Sequence, residues 1–172
     1  MESLKKTPAL FLDRDGVINA EKNYLHKVED VEFIDGIFEL CRKYQEAGYL
    51  IIVVTNQSGI ARGYYSEEDF AALTNWMSDE FKKHGIVITH VYHCPHHPDI
   101  SGPCECRKPN PGMLLEAAKV YNIDLKNSLL IGDKERDIEA AARAGVGSRY
   151  LLGSAHRATK ATRVIDDLKS LL

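Results

Sequence analysis

Long apolar runs are missing from this chain. None approaches the length needed to cross a bilayer, and Met1 to Pro8 lack the apolar core of a secretory signal. A surplus of positive charge is missing as well. Lys and Arg total 22 against 25 Asp and Glu, the formal net charge is -3, and no basic run of five or more occurs. That excludes the concentrated basic face of a nucleic-acid binder. Internal repeats, low-complexity stretches and interdomain linkers are absent too. The expectation is one cytoplasmic domain spanning 1–172, a monomer with neither nucleic acid nor membrane as partner. Cysteine is scarce, at four residues, and in a reducing compartment these are thiols or metal ligands rather than disulfides. Cys41 stands alone on a helical pattern and reads as a small core residue. Cys94, Cys104 and Cys106 crowd into one loop.

What is present is an ordinary globular composition, 44% apolar and 27% charged over 172 residues, enough to bury a substantial core. Apolar runs alternate with helical patterns. Ala9 to Leu12, Tyr49 to Thr55, Val87 to His93 and Ser128 to Asp133 read as strands, and Ser148 to Leu152 as the last one. Gly36 to Ala47 has the spacing of an amphipathic helix, with Ile37, Leu40, Cys41 and Tyr44 on one face and Gly48 as its stop. Ser66 caps a helix whose first turn is acidic and which runs to about Lys83. Asn110-Pro111 opens another at Gly112 to Tyr121. Glu135 to Ala144 and Ile165 to Leu172 complete the helices. Strand-helix alternation predicts an α/β fold: a doubly wound, mostly parallel sheet with helices on both faces. Between the first two strands lie thirty-odd residues, too few for a separate cap domain.

Four apolar runs end in groups that could converge: Asp13 with Asp15, Thr55, the Arg107-Lys108 pair after the cysteine loop, and Asp133. In an open α/β sheet, ligands sit at the carboxyl ends of the strands. A phosphate ester repels nucleophiles, so a site for it needs a cation and N–H donors around the phosphoryl oxygens. Asp13 and Asp133 offer hard oxygen ligands for Mg²⁺. One carboxylate can attack phosphorus, and Asp15 is near enough to protonate the departing alkoxide and later activate water. Thr55 and Lys108 offer a hydroxyl, an N–H and a point charge.

A second constellation pairs Cys94 with His96 and Cys104 with Cys106, each pair one residue apart, with seven residues between the pairs. Three thiolates and one imidazole suit a closed tetrahedral Zn²⁺ site. His93 and His97 compete, and His96 is favoured because it mirrors the second pair. The loop, 94–108, is otherwise poor in apolar side chains, so a metal would supply rigidity that a core cannot. It would hold Arg107 and Lys108 over the phosphate site. A zinc with no open position cannot activate water, which leaves Mg²⁺ as the chemical metal.

The segments Asp13-Arg14-Asp15-Gly16-Val17, Val53-Val54-Thr55-Asn56, Lys108 and Gly132-Asp133…Asp137 resemble the four motifs of haloacid dehalogenase (HAD) superfamily phosphatases, across nearly the whole chain. That resemblance implies a Rossmann-like core, Asp13 as nucleophile and Asp15 as general acid/base. It implies Mg²⁺ held by Asp13, Asp133 and the Asp15 carbonyl, Thr55 and Lys108 around the phosphoryl group, and Asp137 in support. Cys-Pro-His-His-Pro, Cys-x-Cys-Arg-Lys-Pro and Thr-Asn-Gln-Ser-Gly-Ile-Ala-Arg-Gly further resemble the zinc-loop subgroup of heptose-bisphosphate and histidinol-phosphate phosphatases. By that resemblance Arg14, Asn56, Gln57 and Ser58 bind substrate, as does the segment Glu21-Lys22-Asn23-Tyr24 after the first motif, with Glu21 contacting sugar hydroxyls. Arg107 and Lys134 supply the extra charge that a bisphosphate needs. The implied activity is removal of the 7-phosphate of a heptose 1,7-bisphosphate, a step toward lipopolysaccharide core or related surface glycans. Histidinol phosphate is the same-class alternative. A phospho-accepting receiver domain and a zinc-stabilised binding module are the alternatives from other classes.

Overall fold

The computed structural model describes residues 5–154 and 158–172. Met1 to Leu4, part of the segment read above for a signal, lie outside the described residues. A six-stranded, all-parallel sheet in the order β3-β2-β1-β4-β5-β6 forms the centre. Its strands are β1 (Ala9–Leu12), β2 (Leu50–Asn56), β3 (Ile88–Cys94), β4 (Leu129–Gly132), β5 (Ser148–Leu152) and β6 (Arg163–Ile165). The helices are α1 (Ile37–Glu46), α2 (Glu67–Lys83), the single turn α3 (Pro98–Ser101), α4 (Gly112–Tyr121) and α5 (Glu135–Ala144). No described helix is long and apolar enough to cross a membrane.

The continuous apolar runs are explained by burial on both faces. Successive strand side chains point to opposite sides. Leu10, Leu12, Ile51, Val53 and Ile131 pack with α1, α2 and the C-terminal turn, whereas Ala9, Phe11, Ile52, Val54 and Leu130 pack with α4 and α5. The cap on α2 is as its sequence suggests: the Asp69 N–H donates to Ser66 Oγ at 3.1 Å and the Ser66 N–H to Asp69 Oδ2 at 2.9 Å. Cys41 is fully buried in the first core, and burial pushes its thiol up to about 12.

Two expectations need correction. The sheet does not end at β5, and Ile165 to Leu172 is not a helix. Arg163–Ile165 adds β6, with Leu151 opposite Val164, and only a 3-10 turn, Leu168–Leu171, follows. A β-branched pair beside an open sheet edge gains more from strand pairing than from a helix too short to sustain itself. The turn α3 inside the cysteine loop was also unforeseen. Pro98 sits at its first position and the His97 ring accepts the Asp99 N–H at 3.2 Å.

β1 is the switch point. The chain winds outward from it to β2 and β3, then returns on its other side to β4, β5 and β6. Crossovers therefore diverge above β1 and β4 and leave a crevice at their carboxyl ends.

Candidate active site

Leu12 lies opposite both Val53 and Ile131, so the residues that follow β1, β2 and β4 leave the sheet side by side. Asp13, directly after β1, donates its N–H to the Ile131 carbonyl at 3.2 Å and so continues the ladder onto β4. Asp133 follows Gly132. One oxygen each of Asp13, Asp133 and Asp137 lies within 4.8 Å of the others. Glycine makes this approach possible at two places. Gly16 has φ +91, and a Cβ there would run into the Asp133 carboxylate; a Cβ on Gly132 would strike Asp137.

Lys108 enters this cluster from the end of the cysteine loop and is 2% exposed. Its Nζ donates to Asp13 Oδ1 at 3.0 Å and to the Val54 carbonyl at 2.9 Å, and pairs with Asp137 Oδ1 at 2.7 Å. Burial opposes its charge, but Asp13 and Asp137 outweigh that and hold its pKa above the usual lysine value. Asp13 is held well above the carboxylate range, first by burial and then by Asp137, against the pull of Lys108. Asp133 is raised by burial and Asp137, and its Oδ1 is buried with no hydrogen-bond partner. Three close carboxylates facing one ammonium, with an unsatisfied oxygen among them, fit a hard divalent cation.

Asp15 is held from three sides. Asn19 Nδ2 donates to its Oδ1 at 3.0 Å and Gln57 Nε2 to its Oδ2 at 3.1 Å, while the Arg14 guanidinium reaches both oxygens at 3.1 Å. Gln57 also donates to Thr55 Oγ1 at 2.9 Å and accepts a hydrogen bond from the Tyr65 hydroxyl. Burial pushes Tyr65 up to about 12, so the phenol keeps its proton. Asn56 forms a reciprocal pair with the loop: Lys108 N–H donates to Asn56 Oδ1 at 3.0 Å, and Asn56 Nδ2 donates to the Lys108 carbonyl at 3.2 Å.

A cavity of about 270 Å³ opens above these groups. Of the residues expected to face substrate, Asp13, Asp15, Glu21, Asn23, Tyr24, Asn56, Gln57, Ser58, Arg107, Lys108 and Lys134 line it together with Asp133. Burial, then Asp15 and Asp133, raise the Glu21 carboxyl. Three expected residues lie elsewhere. Arg14 points away from the cavity, 3% exposed, and donates to Asp15 and to the Leu25 carbonyl. Lys22 turns outward to Glu32 at 2.9 Å. Thr55 is 1% exposed behind Gln57 rather than on the wall. Arg14 lies in the bend just past β1, and its guanidinium folds back onto the Asp15 carboxylate and the Leu25 carbonyl.

Arg62, Tyr65 and Arg136 line the cavity without having been anticipated. Arg62 lies over the Tyr24 ring, 5.9 Å from its centroid. Arg136 had a signal in sequence, a cation in the first turn of a helix, where the macrodipole disfavours it. Tyr65 directly precedes Ser66, the N-cap of α2, and carries no sequence signal of its own.

The second cluster lies beside the first. Cys94 Sγ is 3.6 Å from Cys104 Sγ and 2.8 Å from Cys106 Sγ, and the last two are 3.6 Å apart. His96 Nδ1 is 3.5 Å from Cys94 Sγ and 3.3 Å from Cys106 Sγ. Four ligands around a tetrahedral zinc have sulfur–sulfur edges of about 3.8 Å, so all but the shortest of these separations match a metal-bound set. The competing imidazoles are occupied: His97 caps α3, and His93 Nε2 meets Glu67 at 2.8 Å. Burial raises Cys94; for Cys104 burial is outweighed by the Arg107 N–H and the neighbouring thiols, which bring it down to about 7.

A family model of HAD-hydrolase-like proteins matches residues 105–171. The chain is 50% identical over 167 residues to the D-glycero-alpha-D-manno-heptose-1,7-bisphosphate 7-phosphatase of Campylobacter jejuni, covering 97% of this chain and 95% of that one. It is 45% identical over 174 residues to the corresponding beta-anomer phosphatase of Vibrio cholerae, covering 95% and 94%. Among solved structures it resembles the D,D-heptose 1,7-bisphosphate phosphatase of B. bronchiseptica complexed with magnesium and phosphate. That match has TM-score 0.82 and 31% identity, and covers 95% of each chain.

Proposed function

We propose, from the premise that this chain belongs to the heptose-1,7-bisphosphate 7-phosphatase family of HAD-like hydrolases, that it removes the 7-phosphate of a D-glycero-D-manno-heptose 1,7-bisphosphate through an aspartyl phosphate. The observation that carries this reading is the meeting of Asp13, Asp133 and Lys108 beneath a cavity whose rim supplies further cations from Arg62, Arg107, Lys134 and Arg136.

Asp13 and Asp133, with the Asp15 carbonyl, would hold Mg²⁺, which when bound offsets carboxylate charge and polarises the phosphoryl group. Asp137 is already paired with Lys108 and so keeps that lysine in place. Asp13 Oδ1 is engaged by the Arg14 N–H and by Lys108, which leaves Oδ2 to attack phosphorus. The bond between phosphorus and the sugar oxygen breaks, and Asp15 gives its proton to that oxygen. Asp15 then takes a proton from water, whose oxygen attacks the phosphorus of the aspartyl phosphate. Inorganic phosphate leaves and the Asp13 carboxylate returns. Lys108 flanks the transferring group and Asn56 fixes where it stands, while Thr55, buried behind Gln57, acts through that side chain.

The second phosphate of the substrate meets Arg107 and Lys134 at the rim, and Glu21, with Asn23 and Tyr24, faces the sugar hydroxyls. Cys94, His96, Cys104 and Cys106 would hold Zn²⁺, whose contribution is to fix the loop that ends in Arg107-Lys108. The product would feed heptose precursor synthesis for lipopolysaccharide core or related surface glycans.

Phosphate release from both anomers of the heptose bisphosphate, beside histidinol phosphate, tests the reading. Relatives named for each anomer lie at 50% and 45% identity, so both belong in the assay. At least a hundredfold preference in kcat/KM for a heptose bisphosphate is expected. Preference for histidinol phosphate overturns the substrate, and turnover that survives Asp13→Asn overturns the covalent route.

A further inference from the structure

From the geometry around Asp15 we infer that Gln57, locked by the Tyr65 hydroxyl, is a positioning residue that aims the Asp15 carboxyl at the leaving-group oxygen. The inference rests on the reading of Asp15 as proton donor given above.

Gln57 is 3% exposed and every part of its amide is engaged. Its two N–H groups go to Asp15 Oδ2 at 3.1 Å and Thr55 Oγ1 at 2.9 Å, and its carbonyl accepts from Tyr65. Both of its N–H groups are spent within the protein, so it has no donor left for substrate although it lines the cavity. Its orientation follows from the Asp15 carboxylate, which only accepts and so takes the nitrogen end of the amide. The carbonyl end is thereby left to Tyr65, whose hydroxyl donates to it and holds it in place. Tyr65 is itself fixed. His26 stacks on it at 5.2 Å with 10° between the rings, and Gly59 leaves space that a Cβ would take from the ring.

The other donors to Asp15 come from its own neighbourhood, Arg14 and Asn19. Gln57 alone ties it to β2, where Thr55 sits. The Asp15 side chain keeps 20% of its surface open, on the cavity side. A carboxyl held this way can rotate little, and a general acid whose direction is set in advance loses less on reaching the transition state.

The test compares esters with different leaving groups. An alkyl phosphate such as the heptose bisphosphate needs its departing oxygen protonated; p-nitrophenyl phosphate, which releases a stabilised phenolate, does not. kcat/KM reports the steps through aspartyl-phosphate formation. With the metal-loaded enzyme, Tyr65→Phe is expected to lower kcat/KM for the heptose bisphosphate about tenfold and for p-nitrophenyl phosphate less than twofold. Gln57→Leu, which removes both donors, should show the same split at least as strongly. Asp15→Asn is the reference and should show the largest split.

If Asp15→Asn splits the two esters but neither other variant does, whether both stay within twofold or both esters fall equally along with the melting temperature, the positioning role is overturned while the acid remains. If Asp15→Asn itself hits both esters equally, the acid assignment falls and takes the positioning role with it.

Discussion

The carboxylate cluster and the thiol cluster each place ligand atoms within 4.8 Å of one another, and they are assembled in opposite ways. Asp13 and Asp133 are 120 positions apart in the chain. They meet because β1 and β4 are paired and fully buried, so the fold itself imposes the cost of crowding like charges. The thiol ligands span positions 94 to 106, in a loop of prolines and polar residues with a single short helical turn. Only Cys94, at the end of β3, is fully buried. One cluster exists because the sheet exists. The other, on the proposed reading, would gain its order from a bound metal and pass it to the first through the Asn56–Lys108 pair.

Four measurements break or sharpen that contrast. Asp13→Asn should lower phosphate release by about 10⁴-fold or more while leaving the melting temperature unchanged or higher, since it removes a buried charge from an acidic cluster. A fall in stability would mean that the carboxylates hold the fold together. Cys104→Ser should abolish the bound zinc seen by elemental analysis and lower the melting temperature by about 6–10 °C, with the Mg²⁺ dependence of the remaining activity shifted less than about twofold. Unchanged melting with no zinc in either protein would rule out a structural metal. Asn56→Ala cuts the link between the clusters. Two hydrogen bonds worth about 1 kcal/mol each set the scale, so kcat should fall about tenfold with KM little changed.

The smallest effect is one of pH. Asp13 and Asp133 are raised in the folded state, chiefly by burial, so the metal-free fold binds their protons better than the unfolded chain does. Its stability is therefore fullest below the ordinary carboxylate values and declines as pH rises through the raised ones. Mg²⁺ takes the place of those protons. The gap in melting temperature between Mg²⁺-loaded and chelator-treated protein should widen from pH 5 to pH 8, and a gap that narrows would contradict the assignment of these shifts.

The two clusters also differ in how they could be read. The thiol site is local, and its spacing alone named all four residues. The acid site was legible because Asp13 and Asp133 each end an apolar run, and a parallel sheet sends such ends to one place. What escaped were contacts made through irregular chain. Tyr65 and Gln57 are eight residues apart across a turn, with no period to relate them. Arg14 sits inside a motif whose neighbours face the cavity, but in a bend beyond the end of β1, where no strand period fixes its direction. β6 was lost because three residues are too few for a pattern and draw their order from the edge of β5.

The buried Lys108 ammonium has a consequence for ion choice. With Asp13, Asp133 and Asp137 it forms a buried cluster that, once all three carboxylates are ionised, carries two units of surplus negative charge. A dication brings that cluster to neutrality; a potassium or sodium ion would leave it anionic and repel the incoming ester. On the proposed reading, electroneutrality would favour a dication before size or coordination number has any say.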